Sequence, residues 1–138
     1  MTVRATPLND YRPSRMQRGA NRMLSRALRN GRGPRFMRLL SVAGRHSGTV
    51  YTTPVVPVRD DAYTWLVSPF GWVRNARVAG EVELARGDDH SRYRVRELGP
   101  EESQPVLQRY LATPARFFAG RQTRDDSRQH PVFELTPI

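Results

Sequence analysis

The chain of 138 residues has no cysteine, which excludes disulfides and thiolate chemistry. It has no lysine either: all 23 of its Lys+Arg residues are arginine. The three histidines, His46, His90 and His130, lie far apart. None has the spacing of a zinc or iron site, so no metal is expected. No apolar run approaches the ~20 residues that a membrane helix needs. No apolar segment follows Arg4 to make a signal peptide, and a cytoplasmic location is the resulting expectation. A nucleophile elbow, a Walker loop and a dinucleotide fingerprint are all missing. No residue is therefore singled out as catalytic, and any reaction is expected to rest on a bound cofactor that the protein positions.

What the chain does have is charge of one sign. The 23 arginines face 13 acidic residues, for a net charge of +10. The planar donor fork of arginine suits phosphate and carboxylate, so anionic partners are expected. A surface rich in arginine is also what a GC-rich coding sequence tends to produce. Nucleic acid ranks last among the anionic partners, because no strand interleaves aromatics with arginines, and none is expected to bind. The chain is 38% apolar, enough for one core, and its 11 prolines and 10 glycines favour short elements joined by turns.

Residues 1–13 are polar, carry two prolines and read as a loose arm; residues 14–138 read as one domain. From Ser14 to Asn30, Met16, Ala20, Met23, Leu24, Ala27 and Leu28 form one apolar stripe at helical spacing, stopped at Asn30-Gly31. This amphipathic helix packs on the body of the domain, lies over a pocket as a lid, or rests on an anionic membrane as a peripheral contact. Strands are expected at Phe36–Ala43, Thr49–Val58, Ala62–Ser68, Glu81–Arg86, Ser91–Leu98 and Pro131–Leu135. Pro54 and Pro57 mark the second strand as an edge or a bend. A short helix fits Trp72–Ala79, ended by Gly80, and another runs from Pro100 to about Ala112. The pattern is mainly β (α+β): a closed or split antiparallel barrel of about six strands, with an N-terminal amphipathic helix and short crossing helices. A ββα ferredoxin-like sheet is the competing topology.

Three segments carry candidate chemistry. Gly44-Arg45-His46-Ser47-Gly48 offers backbone N–H groups, a hydroxyl and a guanidinium to an anion; it is equally a glycine-bounded hairpin turn. Ser68-Pro69-Phe70-Gly71-Trp72-Val73-Arg74-Asn75 runs from a strand end into a helix start. Free N–H groups there, the Trp72 ring and Asn75 one turn later can meet an anion or a ring carbonyl. The plain alternative is a core tryptophan and a surface asparagine. Tyr51-Thr52-Thr53-Pro54 either lines a cleft reached from the first turn or simply fills a strand. The acid pairs Asp60-Asp61, Asp88-Asp89 and Asp125-Asp126 read as turn formers.

The ordered combination of Leu39–Gly48, Tyr51–Val55, Trp72–Asn75, Glu81–Leu84 and Pro131–Leu135 resembles the deazaflavin-dependent nitroreductase family of split-barrel oxidoreductases. The resemblance covers about residue 20 to the end. It implies a split β-barrel, the deazaflavin coenzyme F420, and hydride transfer to an electron-poor small molecule such as an enone, quinone or nitroaromatic. It implies that Arg45, His46, Ser47 and Gly48 hold the coenzyme's phosphate and the start of its oligoglutamate tail. Tyr51, Thr52, Thr53, Pro54, Val55 and Val56 would line the deazaflavin. Ser68, Pro69, Phe70, Gly71, Trp72, Val73, Arg74 and Asn75 would contact its ring and ribityl chain. Tyr110, Phe117 and Phe118 would border the acceptor. Family members commonly carry lysine at the place of His46 and arginine at that of Tyr51. Both departures remove permanent positive charge, for which Arg74 or Arg77 is expected to compensate. FMN is the alternative cofactor, a non-catalytic coenzyme or lipid carrier the alternative function, and a monomer or homodimer the expected assembly.

Overall fold

The computed structural model describes residues 15–60, 62–67, 72–112 and 131–138. Ten elements follow one another: α1 (Arg15–Arg29), β1 (Arg38–Ala43), β2 (Val50–Val55), β3 (Val58–Arg59), β4 (Thr64–Val67), α2 (Trp72–Ala79), β5 (Glu81–Arg86), β6 (Asp89–Glu97), α3 (Pro100–Leu111) and β7 (Val132–Pro137). The strands form one antiparallel sheet in the order β2-β1-β5-β6-β7-β4-β3, curled into a half-barrel. This is a split-barrel α+β fold.

The expected strand count of about six becomes seven, because the stretch from Thr49 to Val58 is two strands. Val55 ends the β1–β2 ladder opposite Arg38, and Val58 opens a new ladder opposite Trp65. Pro57 has no N–H to give either ladder, so the chain turns there and leaves one edge of the sheet for the other. The two edges are therefore tethered by Val56 and Pro57 alone. Three peptide units reach about 10 Å at most, so the sheet must curl.

The curled sheet buries residues on both of its faces, along β1, β4 and β7 above all, while β2 and most of β6 stay exposed or half-buried. Leu40, Val42, Leu66, Val82, Leu84, Phe133 and Leu135 gather around Trp72, Val73 and Ala76 of α2. Leu39, Val56, Val58, Trp65, Val67 and Val132 gather around Leu28 of α1 and Val106, Leu107 and Tyr110 of α3. Strand alternation sends Leu39 to one cluster and Leu40 to the other, and likewise Trp65 and Leu66.

Only part of the α1 stripe packs. Leu28 is fully buried and Leu24 packs beside it, whereas Met23 is 77% exposed. The helix is held by its C-terminal end. Gly31, with φ at +72°, and Arg32 close a Schellman turn on the carbonyls of Leu28 and Ala27. The β5–β6 hairpin then grips this end: Gly87 N–H donates to the Leu28 carbonyl, and Arg86 donates to those of Gly31, Gly33 and Pro34. Gly87 also approaches Gly31 so closely that a Cβ there would stand 3.1 Å from the Gly31 Cα. Among the described residues no helix is long and apolar enough to cross a membrane.

Burial pushes the Tyr110 phenol up to about 12. The folded chain thus keeps a proton that an exposed tyrosine loses near pH 10 (roughly). That stabilisation is complete below the unfolded value and is lost as pH rises through the folded one. Denaturant titrations of the native chain and of Tyr110→Phe should converge or cross by roughly 2–3 kcal/mol between about pH 10 and 12. A difference independent of pH over that range would show that Tyr110 is not held neutral by burial.

Candidate functional site

The turn between β1 and β2 closes on itself. Gly44 N–H donates to the Thr49 carbonyl at 2.7 Å, and Gly48 N–H donates to the Gly44 carbonyl at 3.0 Å. The glycine amides, expected to converge on an anion, are therefore spent on shaping the turn. Gly48 takes φ of +72°, which favours glycine. At Gly44 a Cβ would lie 2.6 Å from the Tyr51 ring and 3.0 Å from the Thr49 carbonyl, so Tyr51 covers the turn only because Gly44 lacks a side chain. The Ser47 hydroxyl donates to Thr49 Oγ1 at 2.8 Å and accepts from the Thr49 N–H at 3.2 Å.

Asn75 makes the long-range connection. Its carboxamide oxygen accepts from the Arg45 N–H at 3.1 Å and from the Arg45 guanidinium at 2.9 Å. It is only 8% exposed, so it is neither the surface residue of the plain reading nor an oxygen open to solvent. This bond joins α2 to the turn and aims Arg45. Arg45 Nε and its second terminal nitrogen, with the N–H groups of His46 and Ser47, meet no acceptor among the described residues. These are donors on one exposed turn, and such a set suits an anion.

Trp72, one turn before Asn75, is 6% exposed and packs on Phe133 with ring centroids 5.7 Å apart. Its indole Nε1–H is buried and has no hydrogen-bond partner among the described residues. A donor left that way costs about 1–3 kcal/mol, so the position calls for an acceptor such as a ring carbonyl. The donor chemistry at the turn and this orphaned N–H together fit a coenzyme bearing both a phosphate and a carbonyl-rich ring.

The remaining predicted residues are not all brought together. Along β2, Tyr51 lies against Gly44 while Thr52 Oγ1 accepts from Arg29 of α1 at 3.3 Å, so the two neighbours face opposite sides. Thr53 and Pro54 are half-buried, and Val55 packs with the Trp72 cluster while Val56 enters the Tyr110 cluster. The strand's period of two thus divides the side chains of Tyr51–Val56 between two sides. Val73 is fully buried and its side chain is spent on packing. Tyr110 is 5% exposed, in the cluster that Trp72 does not share. Ser68, Pro69, Phe70, Gly71, Phe117 and Phe118 lie outside the described residues. So does Asp61, while its neighbour Asp60 accepts from the N–H groups of Ala62 and Tyr63 as a turn former. Those two bonds, with Arg109, hold the Asp60 carboxyl below the usual carboxylate range.

Of the two arginines expected to add charge, Arg77 is engaged by Glu97 through two bonds of 2.7 Å. Arg74 forms no ion pair among the described residues. No group of three or more His, Asp or Glu suited to a metal occurs among the described residues. The bond between Arg45 and Asn75 was not legible beforehand, since 30 residues separate the partners and neither has a local signal for the other.

A family model described as F420H(2)-dependent quinone reductase matches residues 14–137. Among solved structures, a domain-swapped dimer superposes with a TM-score of 0.61 at 19% identity, over 88% of this chain and 96% of that one. An F420-H2 dependent reductase (FDR-A) gives a TM-score of 0.59 at 20% identity, over 74% of this chain and 95% of that one. A putative pyridoxamine 5'-phosphate oxidase from Listeria innocua gives 0.54 at 11% identity, over 74% and 83%. At these identities the structural likeness speaks for the fold. No curated protein matches the sequence significantly.

Replacing Asn75 by Ala leaves the Arg45 N–H without its acceptor. The expected result is a loss of about 1–3 kcal/mol in urea denaturation, with faster hydrogen exchange at the Arg45 amide. Asn75→Asp, which keeps an acceptor oxygen, should exchange more slowly than Asn75→Ala. Equal Arg45 exchange in all three proteins would remove Asn75 from its role under the turn.

Proposed function

The chain belongs to the F420H(2)-dependent quinone reductase family, and from that membership and the geometry of the turn we propose which of its residues hold the coenzyme. The chemistry is F420-dependent reduction of a quinone-type small molecule: when bound, the reduced deazaflavin supplies the hydride. The rest is the work of the protein, carried by one domain spanning residues 14–138.

The observation that carries the assignment is the Arg45–Asn75 connection. It fixes a guanidinium over an exposed turn whose His46 and Ser47 amides are open. In our reading, Arg45, His46 and Ser47 bind the coenzyme's phosphate, with Gly48 setting the turn. Asn75 is a positioning residue that acts through Arg45. Trp72 gives its buried N–H to a ring carbonyl, and Tyr51, Thr53 and Val55 border the ring from β2, with Pro54 on the strand's other side. Arg74, half-exposed on α2 and without an ion pair among the described residues, supplies permanent positive charge to the same site. Val56 and Val73 support these residues by packing rather than by contact. Enones and nitroaromatics are further acceptors for the same ring face, since each accepts a hydride at an electron-poor carbon or nitrogen system.

Coenzyme fluorescence tests the assignment directly. F420 should bind, and Arg45→Gln should weaken it roughly 10–150-fold, the range expected for one hydrogen bond to a charged group. Trp72→Phe, which removes the N–H, should weaken binding less. Tight binding of FMN with none of F420 would favour an FMN-type split-barrel oxidoreductase. Binding without oxidation of the reduced coenzyme by any quinone would favour a carrier.

A further inference from the structure

The end of β1 away from the Gly44–Gly48 turn carries a second group of arginines. Arg38 opens β1, so about 20 Å of strand separates it from Gly44. Arg86 closes β5, and the pairing of Leu39 with Ala85 sets Arg38 and Arg86 side by side on adjacent strands. Arg59 closes β3. The curl brings it in, since only Val56 and Pro57 separate β3 from Val55, the partner of Arg38. Strand alternation puts all three side chains on one face. Leu40 stands two residues after Arg38 and Leu84 two before Arg86, and both belong to the Trp72 cluster. Val58 belongs to the opposite cluster, so its neighbour Arg59 faces the Trp72 side as well.

Two of the three heads are held in place by uncharged partners. One terminal nitrogen of Arg38 donates to the Arg35 carbonyl at 2.7 Å and to the Met37 carbonyl at 2.8 Å. Arg86 donates to the carbonyls of Gly31, Gly33 and Pro34. These bonds fix where the guanidinium groups stand without neutralising them. Partial burial, and then the charges of Arg59 and Arg86, hold Arg38 below its ordinary value, while Asp89 acts the other way. None of the three forms an ion pair among the described residues, whereas Arg77, Arg92, Arg96 and Arg109 each meet a carboxylate. Arg38 Nε and its second terminal nitrogen, Arg86 Nε and the whole head of Arg59 meet no acceptor among those residues. Like charges set together oppose each other until an anion lies between them.

We propose that Arg38, Arg59 and Arg86 form a second anion site, which takes the terminal phosphate of a small soluble phosphate monoester. Three positive charges face the one carboxylate of Asp89, the partner of Arg86 across the β5–β6 ladder, and this leaves two for the ligand to balance. A phosphate monoester carries close to two negative charges at neutral pH and offers three oxygens. The donors come from three strands and not from successive positions of one element, so they surround a compact group, and each guanidinium fork can take its own oxygen. A carboxylate, with one charge and two oxygens, would leave part of the set unused. An occupied site also ties β1, β3 and β5 to the link between α1 and β1, whose carbonyls Arg38 and Arg86 already hold. It shares no residue with the coenzyme site and does not rest on that reading.

The test is an NMR titration of the whole chain, resolved by residue, with inorganic phosphate, acetate and phosphatidic acid vesicles at fixed ionic strength and about pH 8, where phosphate is mostly the dianion. The amides of Arg38, Arg59 and Arg86 should shift together with phosphate on one saturating curve. Acetate should bind there roughly tenfold or more weakly. Arg59→Gln should weaken phosphate at these amides by roughly tenfold or more, melt no lower than the native chain when phosphate is absent, and bind F420 as the native chain does. Arg45→Gln should leave the curve unchanged, which separates this site from the turn. No saturating shift, acetate bound as tightly as phosphate, an unchanged curve in Arg59→Gln, a curve lost in Arg45→Gln, or a response to the vesicles alone would each overturn the proposal. F420 binding without this phosphate curve would overturn it and leave the coenzyme reading standing.

Discussion

The two residues Val56 and Pro57 impose the constraint on which the architecture depends. They join β2 and β3, which lie at opposite ends of the strand order. A flat seven-stranded sheet would hold those ends roughly 28 Å apart at the usual spacing of strands. A two-residue link cannot span that, so the sheet curls, with core residues on both of its faces. Proline at the corner serves this geometry, because it has no N–H to leave unpaired between ladders. The curl gives α2 a concave face to fill, and Trp72, Val73 and Ala76 fill it.

The candidate site follows from the same closure. With α2 seated in the curl, its Asn75 reaches the β1–β2 turn and holds Arg45. The glycines of that turn then act as shape and not as donors. Gly44 leaves room for Tyr51 and Gly48 supplies a left-handed backbone, while His46 and Ser47 keep their amides open. A turn with this composition on an unattached hairpin would be mobile. Here it is tied to the core through a buried asparagine.

Net charge acquires meaning once it is mapped. A surplus of ten positive charges says little about where they act. Arg92 and Arg96 of β6 pair with Glu81 and Glu134 on the neighbouring strands, and Arg77 of α2 with Glu97, at exposures where such pairs contribute little stability. Among the arginines without an ion pair in the described residues are Arg45, Arg74 and, on α1, Arg22 and Arg26. Those places lie around β2, the turn that precedes it and α2, where the deazaflavin reading puts an anionic ligand. The two histidines in described segments differ likewise. His90 pairs with Glu83, whose hydrogen bond raises it above the usual imidazole range, while His46 sits on the exposed turn.

Elements bounded by their own local signals were legible from the residues. α2 was expected at Trp72–Ala79 and β5 at Glu81–Arg86, and both occur with those limits, since Gly80 and Gly87 take positive φ and stop them. α1 was legible to within a residue because an apolar stripe and a glycine stop are written in consecutive sequence. The ordered motifs likewise pointed to the family and the coenzyme, because a motif is a property of the chain in one dimension. The tertiary structure alone decided the rest. That Thr49–Val58 is two strands depends on which partner each half finds, and that Asn75 serves Arg45 depends on a curl set elsewhere. That Thr52 meets Arg29 depends on α1 being clamped by Arg86 and Gly87. Each is a contact between residues far apart in sequence, so the residues themselves carry no local trace of it.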